Sequence, residues 1–334
     1  MAEAAEKPPR PKGLKLLAVA LQNRKSACML GFGFSSGLPY ALLVGTVTAW
    51  LGEVGIKMAT IGVLSWIGLS YAFKFLWSPV VDRVELPVLE RLGRRRSWIL
   101  LCQVVLVLAL AGMVMTDPSA SISTFAYFAF AGALASATQD VAVDAWRIEV
   151  ADEEVPIELL SPVYQFGYRI ASIVGGALAL FMAARMSWAA VYGCMAVLMA
   201  LLILLTLNAP DTPRPEKGKL HAALAQPGEL LPAARAAALT VVGIGWIWAI
   251  GRLLTFMNEV LNPVPGAPPP SVGDFTKYNA PWVVMATVLV PLIVAATTNW
   301  MKANGTMVLT EEDHRHSALR TAANHLYTAL VSPL

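Results

Sequence analysis

Ser187-Trp-Ala-Ala-Val-Tyr-Gly-Cys-Met-Ala-Val-Leu-Met-Ala-Leu-Leu-Ile-Leu-Leu-Thr-Leu207 runs for 21 residues without a charge. About 20 apolar residues in helical form cross the hydrocarbon core of a bilayer. The segment therefore predicts a transmembrane helix. Seven further stretches read the same way: 28–51, 58–79, 98–115, 123–145, 161–184, 237–257 and 281–300. Lipid offers the backbone no hydrogen-bond partner, so all eight are expected to be helices. The whole chain agrees. Of its 334 residues, 57% are apolar and only 14% charged, and the mean hydropathy is +0.60. A soluble domain carries about 25% charged residues. Intrinsic disorder would need low hydrophobicity and high charge. Three cysteines exclude a disulfide scaffold, and a net charge of +3 is too small to suggest a nucleic-acid partner. The predicted class is an all-α integral membrane protein whose partner is the lipid bilayer.

Lys and Arg bias sets the expected orientation. With the N-terminus cytoplasmic, only Lys57, Arg185 and Lys277 fall in outer loops, and Lys74, Arg169 and Arg252 lie inside spans. The rest of the 25 basic residues are then cytoplasmic. Eight spans put both termini on that side. The segment from Arg147 to Glu158 is acidic and runs against the trend, but acidic residues weigh little in orientation. The first apolar stretch is too long for a cleaved signal peptide. A polar linker, 209–236, follows the sixth span, and a Pro-rich loop around 262–270 joins the last two.

Charge inside a bilayer is costly, so each intramembrane ionisable group is a functional candidate. The fourth span ends Ser136-Ala-Thr-Gln-Asp140-Val-Ala-Val-Asp144-Ala-Trp-Arg147. Asp140 and Asp144 are four apart and share a helix face. Two close carboxylates cannot both ionise cheaply there, which suits a proton carrier. Alternatively, Asp144 and Arg147 form a static pair at the rim. Lys74 either snorkels to the interface or faces the bundle toward a carboxylate such as Asp140. Arg169 can pair with the acidic segment or with a carboxylate of the fourth span. Arg252 and Glu259, seven apart on the seventh span, read as a rim pair. His314 and His316 read as part of a solvated tail, and Cys28, Cys102 and Cys194 as free apolar cysteines. There is no Walker A, GxSxG or HExxH motif. Neither ATP drive nor an enzyme is indicated, and no cofactor or metal is expected.

Ser78-Pro-Val-Val-Asp82-Arg83, a spacer, and Gly93-Arg-Arg-Arg96 join the second and third spans. A carboxylate at a helix end near an arginine cluster can clamp two helices in one conformation. The pattern resembles the loop signature of the major facilitators, with a longer spacer, and a six-helix block agrees with that family's half-unit. Gly31-Phe-Gly-Phe-Ser-Ser-Gly-Leu-Pro39, Phe73-Lys-Phe-Leu-Trp-Ser-Pro79, Ser136 to Trp146 and Gly167-Tyr-Arg169 occur in order with it. Across residues 25 to 210 these segments resemble the AmpG muropeptide permeases of Gram-negative bacteria, in the peptide/acetyl-CoA transporter branch. The resemblance implies proton-driven import of anhydromuropeptides across the inner membrane for peptidoglycan recycling, and in some species β-lactamase induction. It implies substrate or proton coupling at Lys74, Gln139, Asp140, Asp144 and Arg169. It implies gating at Asp82, Arg83, Gly93, Arg94 and Arg95, with Arg96.

The expected organisation is a cytoplasmic tail (1–27), a six-helix N-terminal half (28–208), a linker (209–236), a two-helix hairpin (237–300) and a cytoplasmic segment (301–334). The hairpin reads as an insertion, and residues 329–334 resemble the lead into a second half that would lie beyond Leu334. The alternatives are an acetyl-CoA carrier of the same branch and a non-transporting membrane scaffold subunit.

Overall fold

The apolar runs become helices in a computed structural model, which describes residues 22–86, 92–212, 230–264 and 270–306. The architecture is all-helical. In chain order the helices are α1 (Arg24–Glu53), α2 (Met58–Ala72), α3 (Ser78–Arg83) and α4 (Arg94–Met115). They continue with α5 (Ile122–Val150), α6 (Ile157–Ala183), α7 (Trp188–Asn208), α8 (Pro232–Leu261), α9 (Val272–Tyr278) and α10 (Ala280–Ala303). Among the described residues, α1, α4, α6, α7, α8 and α10 are long and apolar enough to cross a membrane. With 29 residues α5 is also long enough. Its C-terminal half is diluted by Ser136, Thr138, Gln139 and Asp140.

The second predicted span is the exception. Only α2 forms there, and it tightens into a 3-10 turn at Ser65–Gly68. Ser65 and Ser70 donate to carbonyls three residues back, Gly62 and Ile67, which favours the tighter winding. Phe73, at φ −96° and ψ 5°, ends the helix, and Lys74–Leu76 form one more 3-10 turn. Pro79 stands in the first turn of α3, where its missing N–H costs little.

The chain divides into two compact units. One comprises residues 1–53, 84–117 and 127–213, the other 54–83, 118–126 and 214–334.

In the first unit α1 packs along α6, and α4 along α7. Small residues let membrane helices approach closely. A Cβ on Gly33 would overlap the Tyr164 carbonyl, one on Gly167 would overlap that of Leu30, and one on Gly37 would stand 2.6 Å from that of Tyr168. Both helices carry a π-segment, Ala41–Thr46 and Val174–Leu178, and the two pack together. Such segments free backbone carbonyls. The Thr46 hydroxyl takes up that of Gly175, and the Tyr192 hydroxyl donates to that of Leu42 at 2.9 Å. Farther along α1, Trp50 stacks on Trp188, whose indole N–H donates to Glu53 at 2.7 Å.

In the second unit α8 packs on α10. Phe73 and Phe75 meet Trp246 edge-on at 5.1 and 4.9 Å. Trp66, Phe256 and Phe275 form a second aromatic cluster.

Candidate functional site

The inward face of α5 carries Ser136, Gln139 and Asp140, each 8% exposed or less. This i, i+3, i+4 spacing puts all three on one stripe. Facing them in the first unit are Ser35 on α1, Gln103 on α4 and Thr206 on α7, all buried. The Ser35 hydroxyl accepts from Gln139 Nε2 at 2.9 Å and from Gln103 Nε2 at 3.1 Å. It lies 3.9 Å from the Met199 sulfur, to which it donates. Thr206 Oγ1 closes the chain onto Gln103 Oε1 at 2.7 Å. Four helices are thus tied through one serine. Buried polar groups are costly unless paired, so the network specifies a single packing. Two atoms stand outside it. Among the described residues, Gln139 Oε1 and Ser136 Oγ have no hydrogen-bond partner. Asp140 lies within electrostatic reach of Tyr164 and Tyr168 on α6 and Cys102 on α4.

One turn on, Arg147 donates to Asp144 at 3.0 Å. The same guanidinium lies over the Tyr164 ring, 5.2 Å from its centre. Asp144 is therefore engaged at the edge, and Asp140 is the buried member of the two. Arg169, five residues past Tyr164 on α6, is exposed and makes no ion pair among the described residues, so neither expected pairing forms.

The arginine cluster finds partners that its sequence neighbourhood does not show. Arg95, 6% exposed, donates to Glu149 Oε1 through Nε at 2.9 Å and through Nη2 at 2.6 Å. Arg94 reaches the same oxygen at 3.0 Å. Glu149 lies in the last turn of α5, past the apolar span. Burial pushes its carboxyl up, but the Arg95 hydrogen bond and charge, Thr212 and Arg94 outweigh this and hold it below the usual carboxylate range. Arg96 donates to the carbonyls of Thr206, at 3.2 Å, and of Leu207, while Arg24 Nε donates to that of Asn208 at 2.9 Å. These carbonyls form the C-terminal end of α7, where that of Thr206 also accepts from the Ala209 N–H at 3.3 Å and positive charge meets the helix dipole favourably. Gly93 precedes α4 at φ 79°, and a Cβ there would overlap the Asp211 carboxylate. Only glycine combines that backbone with that approach. On the exposed surface, Lys25 pairs with Asp152, and that hydrogen bond, with the backbone N–H of Val155, holds the Asp152 carboxyl low.

The other candidates belong to the second unit. Lys74 is half-buried on its single 3-10 turn, Asp82 is half-buried on α3, and Arg83 is the last residue of that helix. The expected rim pair of Arg252 and Glu259 is absent. Arg252 donates instead to Asn279 Oδ1 at 2.6 Å. His314 and His316 lie outside the described residues.

Residues 27–311 match the family model of the Major Facilitator Superfamily. The chain belongs to that superfamily. It is accordingly a multi-pass membrane protein of the transporter type. Among curated relatives of this major facilitator, the anhydromuropeptide permease of Escherichia coli K12 is 40% identical over 193 residues, 57% of this chain and 38% of that protein. Putative transporter AmpG 4 of Rickettsia felis is 35% identical over 186 residues, covering 54% and 45% of the two chains. An uncharacterized protein of Haemophilus influenzae is 35% identical over 198 residues, covering 59% and 46%. The alignments span less than half the length of these relatives.

Ser35, Gln103, Thr206 and Glu149 are the site residues that the sequence did not single out. A serine or glutamine in an apolar run is a weak signal. The acidic segment around Glu149 was visible, but its partners lie 54 and 55 residues away.

Proposed function

We propose that this major facilitator takes part in proton-coupled import of anhydromuropeptides across a bacterial inner membrane, for peptidoglycan recycling. The observation that carries it is the 40% identity to an anhydromuropeptide permease. The buried Gln139–Asp140 step on α5 supplies the chemistry. In this reading Asp140 holds the coupling proton. An ionised carboxylate at that depth is costly, so it takes up a proton when the site is sealed and gives it to water when the site opens. Gln139 Oε1 is an acceptor for an N–H or O–H of the substrate. Lys74, Asp144 and Arg169 are further coupling charges.

Gating belongs to the cytoplasmic rim in the same reading. The Arg94–Arg95–Glu149 lock fixes α4 to the end of α5, Gly93 admits Asp211 beside the start of α4, and Asp82 and Arg83 act at the end of α3. The six-helix half of residues 28–208, the hairpin of 237–300 and a cytoplasmic N-terminus belong to this proposal.

The test is uptake of radiolabelled anhydromuropeptide by permease-deficient bacterial cells carrying the gene in its full genomic extent. Asp140→Asn is expected to abolish the dependence of uptake on an inward proton gradient. Unchanged pH-dependent uptake by that variant would refute the proton role. Absence of any muropeptide uptake by the wild type would refute the substrate.

A further inference from the structure

We propose a second binding site, in the second unit, for a small zwitterion of amino-acid or dipeptide type. The C-terminal end of α8 and one side of α9 line an open cavity of about 230 Å³. Its walls carry one guanidinium, Arg252, and two carboxylates, Glu259 and Asp274. Phe256, Phe275 and Tyr278 add aromatic surface.

Charge selects the ligand class. Neither carboxylate has an ion-pair partner among the described residues. Arg252 commits one nitrogen to Asn279, which fixes its plane and leaves the rest of its donor fork available. An anion alone would meet two carboxylates, and a cation alone would meet the guanidinium. A molecule with an ammonium at one end and a carboxylate at the other satisfies both, because guanidinium binds carboxylate bidentately and carboxylates accept from ammonium. Lys277 lies over the Tyr278 ring, 5.2 Å from its centre, so the rim is close to neutral overall. That too favours a neutral dipole over a net ion.

Size narrows it further. Pockets for drug-sized ligands run from about 300 to 1,000 Å³. A cavity of 230 Å³ is of a size for one or two residues. The Phe256 and Phe275 rings stack at 4.3 Å, with Trp66 at 5.6 and 5.4 Å from them. Both phenylalanines are buried. They form a rigid apolar floor suited to a methyl or short aliphatic side chain. Arg252, Glu259 and Asp274 are exposed at the mouth, where they can meet a ligand from water.

The experiment is isothermal titration of the purified full chain in detergent with alanyl-alanine, N-acetyl-alanyl-alanine and alanyl-alanine amide. The free dipeptide is expected to bind saturably. Each blocked form removes one charge-assisted contact and is expected to bind about tenfold more weakly. Arg252→Gln is expected to abolish the preference for the free dipeptide over its amide. The double variant Glu259→Gln, Asp274→Asn is expected to abolish the preference over the acetylated form. No binding of the free dipeptide, or equal binding of all three, would overturn the proposal. The blocked ligands probe the unaltered chain, so the comparison among the three holds whether or not the variants fold.

Discussion

Replacing Ser35 with alanine removes the one oxygen that two buried amides share. Gln139 Nε2 at 2.9 Å and Gln103 Nε2 at 3.1 Å would both lose their acceptor, in a place where water does not enter. Two scales bound the cost. Interhelical hydrogen bonds inside membranes average about 0.6 kcal/mol, which gives about 1.2 kcal/mol for two. A buried donor left unsatisfied costs about 1–3 kcal/mol, which places the upper end near 6 for two, since the Thr206 bond engages Gln103 Oε1 and not its Nε2. Ser35→Ala is therefore expected to destabilise the chain by about 1–6 kcal/mol. The assay is reversible unfolding in mixed detergent and dodecyl sulfate, followed by tryptophan fluorescence. A double-mutant cycle with Gln139→Leu separates the pairwise part, because a leucine needs no acceptor. It should return a coupling of about 0.5–1 kcal/mol. A loss below about 0.5 kcal/mol in Ser35→Ala, with zero coupling, would show that the four helices do not depend on this serine, and the reasoning would fail.

Other outcomes follow from the same contacts. Gly33→Ala forces a methyl into the Tyr164 carbonyl and should cost about 2 kcal/mol or more in the same unfolding assay. Gly176→Ala, with open space around it, should be near neutral, and equal effects would refute the close approach of α1 and α6. Because the folded-state pKa of Glu149 is depressed, its contribution is complete above the ordinary value of 4.5 and is lost as pH falls through the lower folded value. Glu149→Gln should thus be less stable than wild type by about 1–3 kcal/mol at neutral pH, with the gap closing in acid; a gap independent of pH would contradict the lock. Arg96→Ala uncovers the Leu207 carbonyl and leaves that of Thr206 to the Ala209 N–H alone, and should lower stability by about 1 kcal/mol, with faster amide exchange confined to the last turn of α7. Unchanged exchange there would refute the cap.

Much of the fold was legible because apolar length is a strong signal. The uncharged run from Ser187 to Leu207 is α7 within a residue at each end. Breaks are harder to read than spans. Lys74 and Ser78-Pro79 lay in view inside the second predicted span, yet an apolar count does not register a 3-10 turn. In the site, Asp140 stood out because charge is costly in lipid. Ser35 and Thr206 did not, since such hydroxyls usually bond within their own helix, as Thr206 also does to Leu202 at 3.4 Å. Gln103 was hidden within α4, whose neighbours are apolar. In the sequence the arginine cluster pairs by motif with Asp82, the carboxylate before the spacer. Glu149 satisfies it because the last turn of α5 projects beyond the apolar span and reaches the first turn of α4.

The capping of α7 has a mechanical consequence. Its last three carbonyls are gripped by Arg24 from α1 and Arg96 from α4, and the chain leaves at Ala209 directly past that grip. The Trp146 indole of α5 anchors the next step by donating to the Pro210 carbonyl at 3.1 Å. A pull on the chain after Pro210 is thus shared among four helices before α7 can tilt. Slack or tension in the linker would be felt as a load on a braced frame, not as rotation of a single rod.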